Sequence, residues 1–181
     1  SSLVASIIKF FIFYLFFLNA YADSVNKKYY HNEQGILSLM YHRFDENKYP
    51  STNIRMDIFK KQIEMIKTHD FEFYNPIKFY KEFNIPKTKK KILLTIDDAF
   101  SSFYDNAWPF LKENEIPFIL FISTQAVGNY GYMTWDEIKE IEKEDFVFLG
   151  NHSHSHEYLI NYNFKNFKID IDESIKIFKK N

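Results

Sequence analysis

The chain has 181 residues, 46% of them hydrophobic, which suits one domain with a real core. A formal net charge of −1, with lysines mixed among acids, excludes an electrostatic footprint for nucleic acid. The absence of cysteine excludes thiolate metal ligands, a cysteine nucleophile and a disulfide framework.

The N-terminus reads as a targeting segment. Lys9 precedes an apolar run over residues 10–18, followed by Asn19-Ala20-Tyr21-Ala22 with small residues at the spacing signal peptidase requires. Residues 1–22 are therefore expected to be a signal peptide cut before Asp23, placing the product outside the cytoplasm, secreted or periplasmic. The segment makes transient contact with the secretion machinery, and no stable membrane insertion is expected after its removal. The alternative is an uncleaved membrane anchor, although the run is shorter than the ~20 residues a spanning helix needs. Residues 23–35 form a lead-in, and residues 36–181 a single domain.

Strands and helices alternate through that domain. Residues 36–41 form a short strand ending at His42. Residues 57–68 form an amphipathic helix with Ile58, Phe59, Ile63 and Ile66 on its apolar face. A strand over 71–74 and a short helix over 77–83 follow, then a polar loop over 84–90 containing Pro86. Residues 92–96 are a strand leading into Asp97 and Asp98. A helix over 103–113 should be bent at Pro109, and residues 118–122 form another buried strand. The loop over 123–133 carries Gly128 and Gly131. Thr134 and Glu137 form a capping box that opens a helix running to about residue 144. Residues 146–149 are the strand before a histidine cluster, and residues 169–180 the last helix. Such alternation means parallel strands joined by helical crossovers. The pattern stops on a helix, so a barrel made this way is expected to be incomplete at the C-terminus.

Two strand ends carry the chemistry. Leu93-Leu94-Thr95-Ile96 ends in Asp97-Asp98, and Phe146-Val147-Phe148-Leu149 ends in Gly150-Asn151-His152-Ser153-His154-Ser155-His156. Parallel sheets place their sites at the C-terminal edge. One carboxylate and two imidazoles form a metal-ligand set that leaves coordination positions open. Adjacent carboxylates repel unless a cation stabilises them; a metal on Asp98 relieves this and leaves Asp97 ionised and free to act as a base. A helical turn after His152 brings His156 to the same side and turns His154 away. A glycosidase has no need of the histidine pair. A two-histidine, one-carboxylate set also suits non-haem iron, but that site usually sits on an antiparallel scaffold, which this alternation contradicts.

Thr95-Ile96-Asp97-Asp98-Ala99 and His152-Ser153-His154-Ser155-His156 resemble the two leading motifs of the polysaccharide deacetylases, the carbohydrate esterase family 4 or NodB-homology group. Leu39-Met40-Tyr41-His42-Arg43 is similar to the opening strand of that family, and Tyr49-Pro50-Ser51-Thr52-Asn53 to a loop found in some members. The resemblance covers residues 36–181 and implies an α/β fold, an irregular (β/α) barrel of the polysaccharide deacetylase type. It implies Asp97 as general base and Asp98, His152 and His156 as ligands of one divalent metal, zinc foremost, with cobalt or nickel as alternatives. The implied activity is removal of N-acetyl groups from an extracytoplasmic polysaccharide or oligosaccharide. His42, Tyr130, Tyr132 and Trp135 are candidate substrate contacts. Ile96 and Ala99 replace the usual Phe and Gly, and Ala99 stands where the backbone is expected to need φ > 0. The family's later motifs, an Arg-x-Pro-Tyr-type segment and a late histidine acid, are not within these residues, so this polypeptide alone is expected to turn over poorly. Two alternatives stay open: an O-acetyl esterase of the same family, and a non-catalytic carbohydrate-binding or scaffold protein on a degenerate deacetylase fold.

Overall fold

The computed structural model describes residues 36–82 and 90–181. The expected signal peptide over 1–22, the lead-in over 23–35 and most of the loop around Pro86 lie outside the described residues.

Among the described residues seven strands run in chain order: β1 (Ile36–Tyr41), β2 (Arg43–Phe44), β3 (Asn53–Ile54), β4 (Phe71–Phe73), β5 (Lys90–Asp97), β6 (Phe118–Ile122) and β7 (Val147–Asn151). The main sheet has the order β1-β5-β6-β7, with β4 beside the first residues of β5, and every pairing is parallel. β2 and β3 form a separate two-residue parallel pair that the sequence pattern did not reveal. Among the described residues the sheet is open, with β1 and β7 at its edges. Both edges show apolar side chains: Leu37 and Met40 on β1 and Phe148 on β7 are exposed. The central strand β5 is buried from Leu94 to Asp97, as expected of a strand covered on both faces.

The helices are α1 (Met56–Thr68), α2 (Phe79–Glu82), α3 (Trp108–Glu113) and α4 (Trp135–Glu142), which lie between strands, and α5 (Phe164–Lys180), which follows β7. In α1 the buried stripe is Met56, Phe59, Ile63 and Ile66. Ile58, expected on that face, is 38% exposed, because the 3-4-3 spacing of the other four already fixes the helix's inward side. Its first turn is tied by the Asp45 carboxylate, which accepts from the Met56 N–H at 2.8 Å. The helix expected over 77–83 divides into a 3₁₀ turn, Pro76–Lys78, capped by Asn75, and the four-residue α2. Pro109 does not bend a continuous helix. A π-helical turn, Phe103–Ala107, precedes α3 and places Pro109 in the first turn of α3, where a missing N–H costs nothing. The Thr134–Glu137 capping box is present in full at the start of α4. The last helix begins at Phe164, five positions earlier than expected, because the Asn163 side chain caps it by accepting from Asn166 N–H at 2.9 Å.

The core lies between the sheet and these helices. Phe44, Phe59, Phe103 and Phe118 are fully buried. Phe44 meets Phe59, and Phe103 meets Phe118, edge-on at centroid distances of 5.1 and 5.4 Å, the arrangement ring quadrupoles favour. Gly150 in β7 is required by this packing. A Cβ there would lie 2.3 Å from a ring carbon of Phe121 on β6, so the glycine lets the strand that delivers the histidines lie against its neighbour.

Candidate active site

Four strand ends meet at the C-terminal edge of the sheet: His42 follows β1, Asp97 ends β5 with Asp98 after it, Ser123 follows β6 and His152 follows β7. Asp97 and Asp98 are both buried, 7% and 8% exposed. Asp98 and Ala99 leave the strand with φ of 73° and 54°. Two consecutive left-handed non-glycine residues are costly, about 1–3 kcal/mol each. Such strain persists only where the surroundings fix it, here a 2.9 Å hydrogen bond from Met133 N–H to the Ala99 carbonyl and a bridge between Phe100 and Tyr132.

Asp98, His152 and His156 each aim one ligand atom at a common point, all three atoms within 4.8 Å of one another. The Nε2 atoms of His152 and His156 stand 3.5 and 3.0 Å from Asp98 Oδ1. These spacings bracket the ~3.3 Å edge of a tetrahedron built from ~2.0–2.1 Å zinc–nitrogen and zinc–oxygen bonds. Despite these approaches, Asp98 Oδ1 is buried and has no hydrogen-bond partner. A buried acceptor left so costs about 1–3 kcal/mol, and a cation bound by both imidazoles and this oxygen satisfies it. The donor set therefore fits a divalent metal, while its make-up does not choose among zinc, cobalt and nickel.

The convergence is not made by a helical turn. Residues 152–158 carry no helix, and the loop reverses through left-handed Ser153 (φ 67°) and His156 (φ 59°). On one side the loop is held by the segment after β6. Thr124 and Gln125 N–H groups donate to the Ser153 and His154 carbonyls, and the Ser123 hydroxyl donates to the His152 carbonyl at 3.0 Å. On the other side it is held by α5, whose two buried residues are both polar. Asp170 accepts from His154 N–H and Ser155 N–H, each at 2.9 Å. The Ser174 hydroxyl donates at 2.7 Å to Asn151 Oδ1, which also accepts from Ser153 N–H. His154 stands apart from the ligand set, its Nδ1 2.9 Å from Thr124 Oγ1.

Asp97 lies beside the side chains of Asp98, His152 and His156. Burial raises its pKa above the usual carboxylate value; His152 and His42 pull it back, Asp98 adds to the rise and His156 opposes it. His42 Nε2 is 3.9 Å from Asp97 Oδ2. Over these groups opens a cleft of about 610 Å³ whose wall includes His42, Arg43, Tyr49, Phe100 and Tyr132. The Arg43 guanidinium is sandwiched between the rings of Phe100 and Tyr49, at 3.5 and 4.4 Å, and paired with Glu46 at 2.9 Å. It ties β2 to the loop that follows it and to the segment after β5. Of the proposed substrate contacts, His42 and Tyr132 line this cleft. Tyr130 is fully exposed and lines a neighbouring cleft on the far side of the same aromatic wall. Trp135 does not line the cleft: it is the first residue of α4, and its ring packs edge-on against Phe178 of α5 at 5.9 Å. Arg43, Phe100, Asn151, Asp170 and Ser174 escaped the sequence reading. A signal for the last two was present, as polar residues on the inner stripe of an otherwise amphipathic helix.

Asp170 allows a pH test. Its burial raises the carboxyl pKa, but hydrogen bonds from Ser155 and His154 outweigh that and leave it below the ordinary 3.8. A depressed carboxylate contributes stability above its unfolded value and loses it as pH falls through the native one. Asp170→Asn should therefore lower the thermal midpoint of the metal-free protein at neutral pH, and the gap to wild type should close under acid. A pH-independent gap would contradict this.

The polysaccharide deacetylase family profile matches residues 84–181, more than half of the chain and inclusive of both motifs. The chain belongs to the polysaccharide deacetylase family. Among curated relatives, it is 27% identical over 158 residues to the poly-β-1,6-N-acetyl-D-glucosamine N-deacetylase of Staphylococcus epidermidis, covering 77% of this chain and 55% of that one. It is 30% identical over 156 residues to the protein of the same name from Staphylococcus aureus, covering 73% and 52%. The chain thus spans about half the length of the curated relatives it matches. Among solved structures, the Streptococcus pyogenes deacetylase PplD in complex with acetate superposes with a TM-score of 0.69 at 23% identity, covering 80% of this chain and 68% of that one. IcaB from Ammonifex degensii does so with a TM-score of 0.69 at 24% identity, covering 81% and 69%. These likenesses establish the deacetylase fold, an α/β architecture on a parallel sheet.

Proposed function

We propose that the protein is a metal-dependent hydrolase that removes N-acetyl groups from a polymer of N-acetylglucosamine outside the cytoplasm. The observation that carries this reading is the convergence of Asp98, His152 and His156 on one point with the Asp97 carboxylate beside it. Asp98, His152 and His156 would hold the metal, zinc foremost, and a divalent cation there would supply an acidified water and a polarised acetyl carbonyl. Asp97 takes the water's proton as the water oxygen attacks the acetyl carbon, the part of a positioned general base. The carbon–nitrogen bond then breaks, the proton on Asp97 is available to the departing nitrogen, and acetate and a free amine result. His42, its Nε2 3.9 Å from Asp97 Oδ2, lines the cleft beside that carboxylate. Tyr132, stacked on Phe100 at 4.8 Å, offers an aromatic face at the cleft wall for a sugar ring.

The curated relatives named as N-deacetylases of poly-β-1,6-N-acetylglucosamine support the polymer and the amide bond. The test is acetate release by the full-length protein from that polymer and, in parallel, from an O-acetylated xylan. Release from the first and little from the second is expected; the reverse would assign the site to ester hydrolysis, and none from either to a carbohydrate-binding scaffold.

Export follows from the apolar run ending in Ala20-Tyr21-Ala22. N-terminal sequencing of material recovered outside the cytoplasm should begin at Asp23. Recovery of residues 10–18 with the membrane fraction would instead make the segment an anchor. Among the described residues no helix is long and apolar enough to cross a membrane.

A further inference from the structure

The two ligand histidines are separated by three residues that neither helix nor strand holds. Ser153 and His156 sit in the left-handed region without being glycine, so the local preference of this loop is for some other path. The segment after β6 holds the carbonyl side of this path through Ser123, Thr124 and Gln125, and α5, later in the chain, holds its N–H side. Asp170 is 6% exposed, and both its carboxylate oxygens are used on the loop: Oδ2 accepts from His154 N–H and Oδ1 from Ser155 N–H. These are the two amides in the middle of the span between His152 and His156. One rigid carboxylate gripping two consecutive N–H groups fixes the turn of the backbone there. Asn151 and Ser174 anchor the start of the same loop to the same helix face, one turn further along.

We infer that Asp170 is a positioning residue for the His152–His156 pair: it sets the separation and aim of the two imidazoles, and so the metal affinity of the site, without touching the metal. The inference rests on the reading of that site as a metal centre. Asparagine is the informative replacement, because it keeps the shape but turns one acceptor into an NH₂ that faces an N–H. Groups that orient metal ligands typically contribute roughly 10–100-fold to affinity.

The experiment uses the full-length protein and cobalt(II) alone, whose visible absorption reports ligand geometry. Wild type, Asp170→Asn and, as a control for lost stability, Ile138→Ala on the buried face of α4 are titrated with cobalt after chelation. Expected are a loss of affinity of roughly 10–100-fold and altered cobalt bands in Asp170→Asn, with affinity and bands unchanged in Ile138→Ala. Affinity and bands unchanged in Asp170→Asn would overturn the inference, as would an equal loss in Ile138→Ala. Should Asp170→Asn not fold, Asp170→Glu, which keeps a carboxylate displaced by one methylene, is read by the same criteria. A metal-free readout separates this inference from the metal reading: NMR of wild type and variant without cobalt. Faster exchange of the His154 and Ser155 amides, with shifted His152 and His156 ring signals, supports the positioning role even if wild type binds no cobalt. Identical spectra would refute it.

Discussion

Asp97→Asn in the full-length protein should keep its metal and lose most of its turnover. The change leaves Asp98, His152 and His156 untouched, so metal content by mass spectrometry should match wild type. It removes the proton acceptor beside them, and a positioned base typically contributes about 10²–10⁴-fold; acetate release from the N-acetylated polymer should fall by about that factor. The loss should appear in kcat more than in KM, because proton abstraction belongs to the reaction's transition state and not to binding of the sugar. The position is buried and the amide is of the same shape, so the fold should survive. Full activity in Asp97→Asn would assign the base to another group, and His42, the cleft imidazole nearest Asp97, would be the first to examine.

Replacing either His152 or His156 by alanine should abolish stoichiometric metal binding. Two protein ligands remain in each case, and the buried Asp98 Oδ1 then keeps only one imidazole near it. The loss should exceed the roughly 10–100-fold that removal of a mere orienting partner costs. The half-exposed imidazoles carry little of the core, so the metal-free variants should unfold near the wild-type temperature. His154→Ala is the matched contrast. Its ring contacts Thr124 and not the ligand set, so metal content should be retained. Equal loss in all three variants would mean that the loop's integrity, and not the two named imidazoles, decides binding.

Much of this was legible in the sequence because it is written in local pattern. The apolar runs ending in Asp97-Asp98 and Gly150-Asn151-His152 are parallel strands whose ends do meet; the first is buried, whereas the second is an edge strand with Phe148 exposed. The Thr134–Glu137 box announced α4, and the substitution of Ala99 at a left-handed position was visible from the motif. What sequence did not show is what arises between segments. A helical turn after His152 was a reasonable extrapolation from four-residue spacing, yet the loop instead takes a left-handed path because Asp170 and the Thr124–Gln125 segment compensate its backbone. The β2–β3 pair is two residues long on each side, too short for any periodicity. Arg43 next to His42 carried no signal of its role, which exists only once Tyr49 and Phe100 close on it from two other loops. Trp135 looked like a sugar platform by its place after the 123–133 loop, but the helix that starts there turns it onto Phe178.

The most direct measurement is acetate release from poly-β-1,6-N-acetylglucosamine as the chelated full-length protein is titrated with zinc. A metal held by Asp98, His152 and His156 and required for the reaction predicts no release from the chelated protein and a linear recovery that saturates at one zinc per chain. Release that chelation leaves untouched, or a recovery that His152→Ala shares with wild type, would contradict it.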